Sequence, residues 1–373
     1  MKIKKVLKWS LLTILVALGA WLFIAYWTST NDCNRNAAAP TNPMKAIRYC
    51  EYGVANVKLQ DVEKPVPTND QVLIKVRASS LNAFDAGVAR DTWLGRLFFG
   101  LRKPRDTRLG QDLAGEVEAV GKTVTQFKPG DEVFGLCRGG LAEYTCTRER
   151  ALAIKPPNLS FEQAASLPLA GLVALQGLRE GKIQPGQKVL INGATGGVGT
   201  FAVQIAKSLG AEVTAVCSTR NLDLVRSIGA DHVIDYTKED FTKSEQCYDV
   251  IFDNVCNHSF AERRRVLTPK GICVLAGFGG AGVTSGQAIQ RIGSSIFLAR
   301  VRSSFGEQKF ASYGIKTSKD DPIMVGDLVQ SGKLKPVIDR TYKLSDAPEA
   351  MRYLAEGHAR GKVVITVEQD NKI

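Results

Sequence analysis

The most constraining stretch of the chain is residues 188–207, where an apolar strand, a glycine turn and a helix follow one another without a gap. It reads Lys-Val-Leu-Ile-Asn-Gly-Ala-Thr-Gly-Gly-Val-Gly and then Phe201-Ala202-Val203-Gln204-Ile205-Ala206-Lys207. Val189, Leu190 and Ile191 form the strand, and Ala194-x-Gly196-x-x-Gly199 follows at once. This is the order a dinucleotide fingerprint requires. Gly196 lets the backbone approach a pyrophosphate, Gly199 lets the helix pack closely on the strand, and the helix N-terminus offers free N–H groups and a positive dipole. Thr195, Gly196, Gly197, Val198 and Gly199 are therefore the expected pyrophosphate and ribose contacts. Ala194 stands where the usual pattern has its first glycine.

Further strands follow at Glu212–Cys217, His232–Tyr236, Val250–Val255 and Gly271–Gly277, with a helical stretch from Leu222 to Ile228. Strands alternating with helical patterns predict a parallel, doubly wound α/β sheet. After the second strand an NAD enzyme places Asp or Glu to hold the ribose hydroxyls. Here the chain reads Ser218-Thr219-Arg220. Two hydroxyls and a guanidinium suit a 2′-phosphate through charge-assisted hydrogen bonds, so the expected cofactor is NADPH. The same triplet also reads as a helix cap followed by a surface arginine.

The chain has 373 residues and a formal net charge of +12, spread without one long basic block. No nucleic-acid motif accompanies that charge, so a basic solvated surface is expected and no nucleic-acid partner. None of the eight cysteines forms a Cys-x-x-Cys pair, and most read as buried thiols in a reducing compartment.

Trp9–Asn31 carries no formal charge, and its centre, Leu11–Ala25, is strongly apolar. About 20 such residues suffice to cross a bilayer, and Trp9, Tyr26 and Trp27 sit where an aromatic belt would lie. The expectation is an uncleaved single-pass membrane anchor over residues 1–31, in preference to a cleaved signal peptide, and a polar linker over 32–43. Lys2, Lys4, Lys5 and Lys8 would put the bulk of the chain outside the cytosol, against its need for NADPH, so the side of the membrane stays open.

Four further motifs carry a resemblance. They are Gly110-Gln111-Asp112-Leu113-Ala114-Gly115-Glu116-Val117, Phe127-Lys128-Pro129-Gly130-Asp131-Glu132-Val133, Ala164–Leu172, and Gly357-His358-Ala359-Arg360-Gly361-Lys362-Val363-Val364-Ile365. Together they resemble the medium-chain dehydrogenase/reductase superfamily, in its zinc-free quinone oxidoreductase branch of the zeta-crystallin and reticulon-4-interacting-protein type. The resemblance implies a GroES-like β-rich catalytic domain over 44–167, a Rossmann NADP-binding domain over 168–305, a return to the catalytic domain over 306–373, and a homodimer. Tyr236 then corresponds to a contact of the adenosine 2′-phosphate, Gly277-Phe278 to the backbone site for the nicotinamide amide, and Lys362 to a lysine near the cofactor. Tyr236 also reads as a strand-end aromatic, and Lys362 as a surface lysine before a strand.

Alcohol dehydrogenases of that superfamily hold a catalytic zinc with Cys and His. Asn82 occupies what looks like the Cys position and Gln111 the His position, and Phe161–Glu180 contains no Cys. Neutral amides do not supply the ligands zinc prefers, and the four clustered cysteines of a structural zinc lobe are missing. No metal is expected. Without a Lewis acid the site needs an acceptor that is already electrophilic, a quinone or an α,β-unsaturated carbonyl. Asn82 is the expected catalytic group, donating to the substrate oxygen or the cofactor; it also reads as a turn-capping Asn before Asp85. No side chain stands out as a general acid. The stretch Arg90–Arg108 alternates Trp93, Leu94, Leu97, Phe98, Phe99 and Leu101 with basic residues, which fits either a membrane-contacting entrance for a lipophilic substrate or an ordinary apolar loop. Three functions compete at this point: an NADPH-dependent quinone or enone reductase, a zinc alcohol dehydrogenase, and a non-catalytic NADPH-binding membrane protein.

Overall fold

The computed structural model describes residues 39–277 except 90, 92–95 and 98, residues 307–368 except 313, 317 and 319, and scattered positions between 16 and 33. Strands β1 (Pro43–Tyr49) and β2 (Val57–Glu63) form an antiparallel hairpin at the start of the first domain. The spine of that domain is β3 (Gln71–Leu81), and Asn82 alone separates it from helix α1 (Ala83–Ala89). On one edge β3 pairs with β4 (Asp112–Val120), which passes the sheet on to β5 (Glu132–Leu136). Its other edge is shared. Gln71–Lys75 pairs with β6 (Tyr144–Arg148), leaving Ala78–Leu81 for a strand from the far end of the chain. Two irregularities against β4, at Leu73/Ile74 and Val76/Ala78, accompany this handover and add local twist. The short β7 (Leu152–Ile154) closes the sheet beside β5.

The stretch Ala164–Leu172, one of the motifs that carry the resemblance, falls across two helices. α2 (Phe161–Ala165) opens with a Ser160/Gln163 capping box, and α3 (Pro168–Glu180) starts afresh with proline in its first turn. Pro168 has no N–H to continue the first helix and a φ suited to starting the second.

The second domain is a six-stranded parallel sheet. Its strands are β8 (Lys188–Asn192), β9 (Glu212–Cys217), β10 (His232–Asp235), β11 (Tyr248–Asp253), β12 (Leu267–Leu275) and β13 (Lys309–Ser312). Their spatial order is β10-β9-β8-β11-β12-β13, which reverses direction between β8 and β11. A ligand crevice forms at such a reversal, outside the carboxyl ends of the strands. Helix α4 (Gly197–Ser208) leaves β8 there, and α5 (Leu222–Ser227) leaves β9. After α6 (Phe260–Arg265) and α7 (Asp320–Gln330) the chain returns to the first domain through β14 (Ile338–Lys343), α8 (Ala347–Glu356) and β15 (Lys362–Thr366). β15 is the strand that takes the remaining edge of β3, with Val363 opposite Leu81.

One core spans both domains. Phe134 and Ala153 of the first share a buried cluster with Leu172 and Leu175 of α3, Ile191, Phe201 of α4, and Val325 of α7. Each such large apolar side chain contributes about 2 kcal/mol by leaving water.

Two expectations are corrected. The membrane anchor, and the single-pass membrane location built on it, are not supported: among the described residues no helix is long and apolar enough to cross a membrane. Much of the expected span, including Trp9 and Leu11–Leu15, lies outside the described residues. Trp27, read as a belt aromatic, has the Arg102 guanidinium over its ring, and Asn31 donates to the carbonyl of Cys50 at 2.8 Å. The reading of the cysteines is also revised, because Cys33 and Cys50 form a disulfide that ties this segment to the end of β1. The other six are free, and Cys137, Cys217, Cys256 and Cys273 are buried.

Gly199 is where the second domain tolerates least change. A Cβ there would lie 2.0 Å from the carbonyl oxygen of Gly193 and 2.8 Å from the backbone of Ala194. Those atoms belong to the turn itself and cannot swing aside. Gly199→Ala is therefore expected to cost about 1–3 kcal/mol or more and to weaken NADPH binding at least tenfold. Thermal unfolding and cofactor titration check this; a variant matching the wild type in both would remove the close-packing role of Gly199.

Candidate active site

Asn82 sits at the junction of β3 and α1. Its backbone N–H donates to the Asp85 carboxylate at 2.8 Å, the reach-back half of a capping box. Its side chain does not cap the turn. The amide nitrogen donates to Asp112 Oδ2 at 2.8 Å, and the amide oxygen accepts from Lys362 Nζ at 2.7 Å. Asp112 lies at the start of β4 and Lys362 at the start of β15, so three remote parts of the chain meet at one amide.

Asp112 is wholly buried, and its carboxylate also accepts from Ser80 Oγ at 2.6 Å, Lys362 Nζ at 3.1 Å and the Leu169 N–H at 2.7 Å. Lys362 is 2% exposed and further donates to the Leu81 carbonyl at 3.1 Å. Its three ammonium hydrogens are thus matched by Leu81, Asn82 and Asp112. Lys362, read from the resemblance as a lysine near the cofactor and otherwise as a surface lysine, is buried and directs its ammonium into this cluster. Sequence reasoning missed Asp112, because an acid at a strand start carries no signal of partners so far along the chain.

The lysine reaches the cluster past the glycine turn. A Cβ on Gly197 would lie 2.8 Å from Lys362 Cδ, and Gly361 forms a bridge with Gly196. Gly361 has a φ of 111°, and a Cβ there would lie 2.3 Å from the Val337 carbonyl oxygen. Gly361 is thus held to glycine by its own φ and by Val337, and Gly197 by the lysine stem that crosses it. Gly196 caps α4, whose first turn holds no acid, leaving an N-terminus suited to a pyrophosphate.

The residues expected at the 2′-phosphate lie beyond β9 and divide. Ser218 is half-buried, Arg220 and Tyr236 are exposed, and Arg220 also donates to the His358 carbonyl at 2.9 Å. The Thr219 hydroxyl instead donates to Asp235 at 2.5 Å. That bond, with those from Thr237, holds the Asp235 carboxyl down to about 2. Asn221 is a second residue the sequence did not single out. It is 4% exposed, and its amide nitrogen donates to both Thr195 Oγ1 and Ser218 Oγ, leaving their hydroxyl hydrogens free to serve an anion. Gly277 follows β12 at the carboxyl edge of the sheet, so close to Asn254 that a Cβ would lie 2.0 Å from its carbonyl oxygen. Phe278 lies outside the described residues, as do Trp93, Leu94 and Phe98. Phe99 packs edge-on against Phe84 at 5.6 Å, and the Arg96 guanidinium stands over the Tyr52 ring.

Comparison with known proteins shows the family to which this fold belongs. Residues 68–158 match the model of the alcohol dehydrogenase GroES-like domain, and residues 228–365 that of a zinc-binding dehydrogenase. The 2-methylene-furan-3-one reductase of Solanum lycopersicum is 36% identical over 339 residues, covering 86% of this chain and 79% of that protein. The NADPH-dependent alkenal/one oxidoreductase, chloroplastic, of Arabidopsis thaliana is 34% identical over 343 residues, with the same coverage of 86% and 79%. The solved structure of the quinone oxidoreductase from Coxiella burnetii superposes with a TM-score of 0.74 at 31% identity, covering 88% of this chain and 100% of that one. The chain belongs to the medium-chain dehydrogenase/reductase superfamily. The zinc in the name of one family model does not fit the donor set at this site. The positions that the resemblance assigns to zinc ligands carry the amides of Asn82 and Gln111, and among the described residues no cluster of three His, Cys, Asp or Glu could hold a metal.

Asp85 fixes the backbone on both sides of the site. It is 1% exposed and accepts from the N–H groups of Asn82 and Gly110. Burial outweighs those bonds and raises its carboxyl to about 6. A carboxyl with a raised pKa in the fold holds its proton more easily there than in the unfolded chain. Its contribution to stability is complete below about pH 4 and is lost as the pH rises through about 6. In Asp85→Asn that titration is gone, so the stability of the wild type relative to the variant should fall by on the order of 3 kcal/mol between pH 4 and pH 7.5. Urea unfolding across that range reads it, and a constant difference between the two proteins would rule out Asp85 as the titrating group.

Proposed function

We infer that this protein is an NADPH-dependent oxidoreductase that reduces an activated carbon–carbon double bond or a quinone without the help of a metal. The observation that carries this reading is the Asn82 amide, held by Asp112 and Lys362 at the position where zinc enzymes of the superfamily place a metal ligand. Bound NADPH supplies a hydride. The chain would hold it with the backbone of Thr195, Gly196, Gly197, Val198 and Gly199 at the pyrophosphate, with Ser218, Arg220 and Tyr236 at the 2′-phosphate, and with the backbone of Gly277 at the nicotinamide amide. Thr219 supports the phosphate rim through Asp235.

Asn82 keeps one amide hydrogen beyond the one given to Asp112. That N–H donates to the acceptor's oxygen as negative charge develops there. Water completes protonation, since no described side chain presents a free acid to this point. Phe84, two residues after Asn82, with Phe99 packed edge-on against it, suits a small lipophilic acceptor. The relatives named for furanone, alkenal/one and quinone reduction favour the same two acceptor classes. A homodimer, implied by the resemblance, is part of the proposal.

The test follows NADPH absorbance as enones and quinones are offered with NADPH, and alcohols with NADP+, in the presence of a chelator. Turnover of enones or quinones, with alcohols inert and chelator without effect, is the expected result. Tight NADPH binding with no acceptor consumed would replace this reading by a non-catalytic one, and activity lost to chelator and restored by zinc would reverse the argument on metal. Arg220→Ala is expected to raise the KM for NADPH about tenfold or more while leaving that for NADH within about twofold. Equal effects on the two cofactors would show that Arg220 does not read the 2′-phosphate.

A further inference from the structure

A carboxylate can only accept hydrogen bonds and an ammonium can only donate them. Asn82 lies between one of each, with its nitrogen on Asp112 and its oxygen on Lys362. Rotating the amide by half a turn would set its carbonyl against the carboxylate and its NH2 against the ammonium, replacing two attractive contacts by two repulsive ones in a buried setting where electrostatics are weakly screened. The pair is itself anchored. Asp112 is further held by Ser80 and the Leu169 N–H, and Lys362 by the Leu81 carbonyl. Both side chains are almost wholly buried, while Asn82 is half-buried and so retains an open side. The lysine stem that ends at Asn82 also lies against Gly197, which puts the amide within one side-chain length of the glycine turn.

We propose that Asp112 and Lys362 are positioning residues that lock the Asn82 amide in one orientation, so that its remaining N–H and not its carbonyl faces the acceptor oxygen. This rests on the reading of Asn82 as the donor to that oxygen. The lock explains why a lysine beside the cofactor site points inward, and why a buried acid with four donors adjoins an active-site amide. It also assigns Gly197 a second task, since any side chain there would push the lysine stem off its path.

The experiment compares three variants of the full chain: Asn82→Ala, the double variant Asp112→Asn with Lys362→Met, and the two combined. Removing both charges together avoids leaving one of them buried and unpaired. NADPH affinity is read by titration, and kcat and KM with an enone or quinone that the wild type consumes. Asn82→Ala should lower kcat about 10²-fold. The double variant should bind NADPH within about threefold of the wild type and lose kcat by a similar factor, and the combined variant should lose little more, because the three residues act as one unit. Wild-type kcat in the double variant, or losses that multiply in the combined one, would overturn the proposal while leaving Asn82 as the donor. Wild-type kcat in Asn82→Ala would instead remove the donor reading, and the lock with it. If the double variant does not fold, Lys362→Met alone carries the test, since Asp112 keeps its donors from Ser80, Asn82 and Leu169. A fall in kcat at unchanged NADPH affinity supports the lock, whereas weakened NADPH binding at unchanged kcat makes Lys362 a cofactor ligand and overturns it.

Discussion

The Asp112 carboxylate gathers donors from the end of β3, from Asn82, from the first turn of α3 and from the first residue of β15. These are the points where the two domains and the returning tail meet. A buried ion pair is weak evidence for net stability, because desolvating both charges offsets much of their attraction. Its effect is on geometry. Removing one partner would leave a charge uncompensated, so the arrangement in which all the donors are satisfied is strongly preferred over near neighbours. The position of α3 relative to β4, and hence of the nucleotide sheet relative to the catalytic one, is linked through the Leu169 N–H to the same carboxylate that orients Asn82. The site is therefore assembled at the seam and not by either domain alone.

What could be read from the sequence follows how local each constraint is. The turn after β8 is legible because Gly196 and Gly199 answer demands that arise within a dozen residues: a close backbone approach and a helix packed on its own strand. Strands β9 to β12 are legible for a similar reason, since buried parallel strands read as short apolar runs between helical stretches. The edge strand Lys309–Ser312 has no such run. The catalytic domain is different. Pairing Val363 with Leu81 joins residues far apart in sequence, and no periodicity in either strand announces it, so the return of the tail was visible only through resemblance. Asn82 could be singled out by its place in a motif, but not the lysine and acid that hold it. The hydroxyl of Thr219 reads as a phosphate ligand from its place after β9, but its partner Asp235 lies on the neighbouring strand, where local sequence does not show it. At the N-terminus, apolarity alone suggested a span, but apolar content does not report the ties through Cys50 and Arg102 that bind this segment to the protein's own surface.

The chemistry open to the site follows from the kind of charge it can direct. A metal ion lowers the pKa of a bound oxygen by many units and so can activate an alcohol. A single N–H cannot. Donors of this kind contribute about 10²–10³ to a rate by meeting charge as it forms, and only when they are already aimed. The Lys362–Asp112 pair adds no net charge to the cavity, since its two members cancel at 3.1 Å, so the directed element left to the acceptor is the amide dipole itself. Such a site has little to offer an alcohol, whose proton must first be removed. It has enough for an enone or a quinone, whose carbonyl already draws electrons and needs only a donor as the oxygen becomes negative. On the proposed reading of Asn82 as donor, the preference for these acceptors is set by an amide in place of a metal ligand, and it is effective only because the amide is held by Asp112 and Lys362.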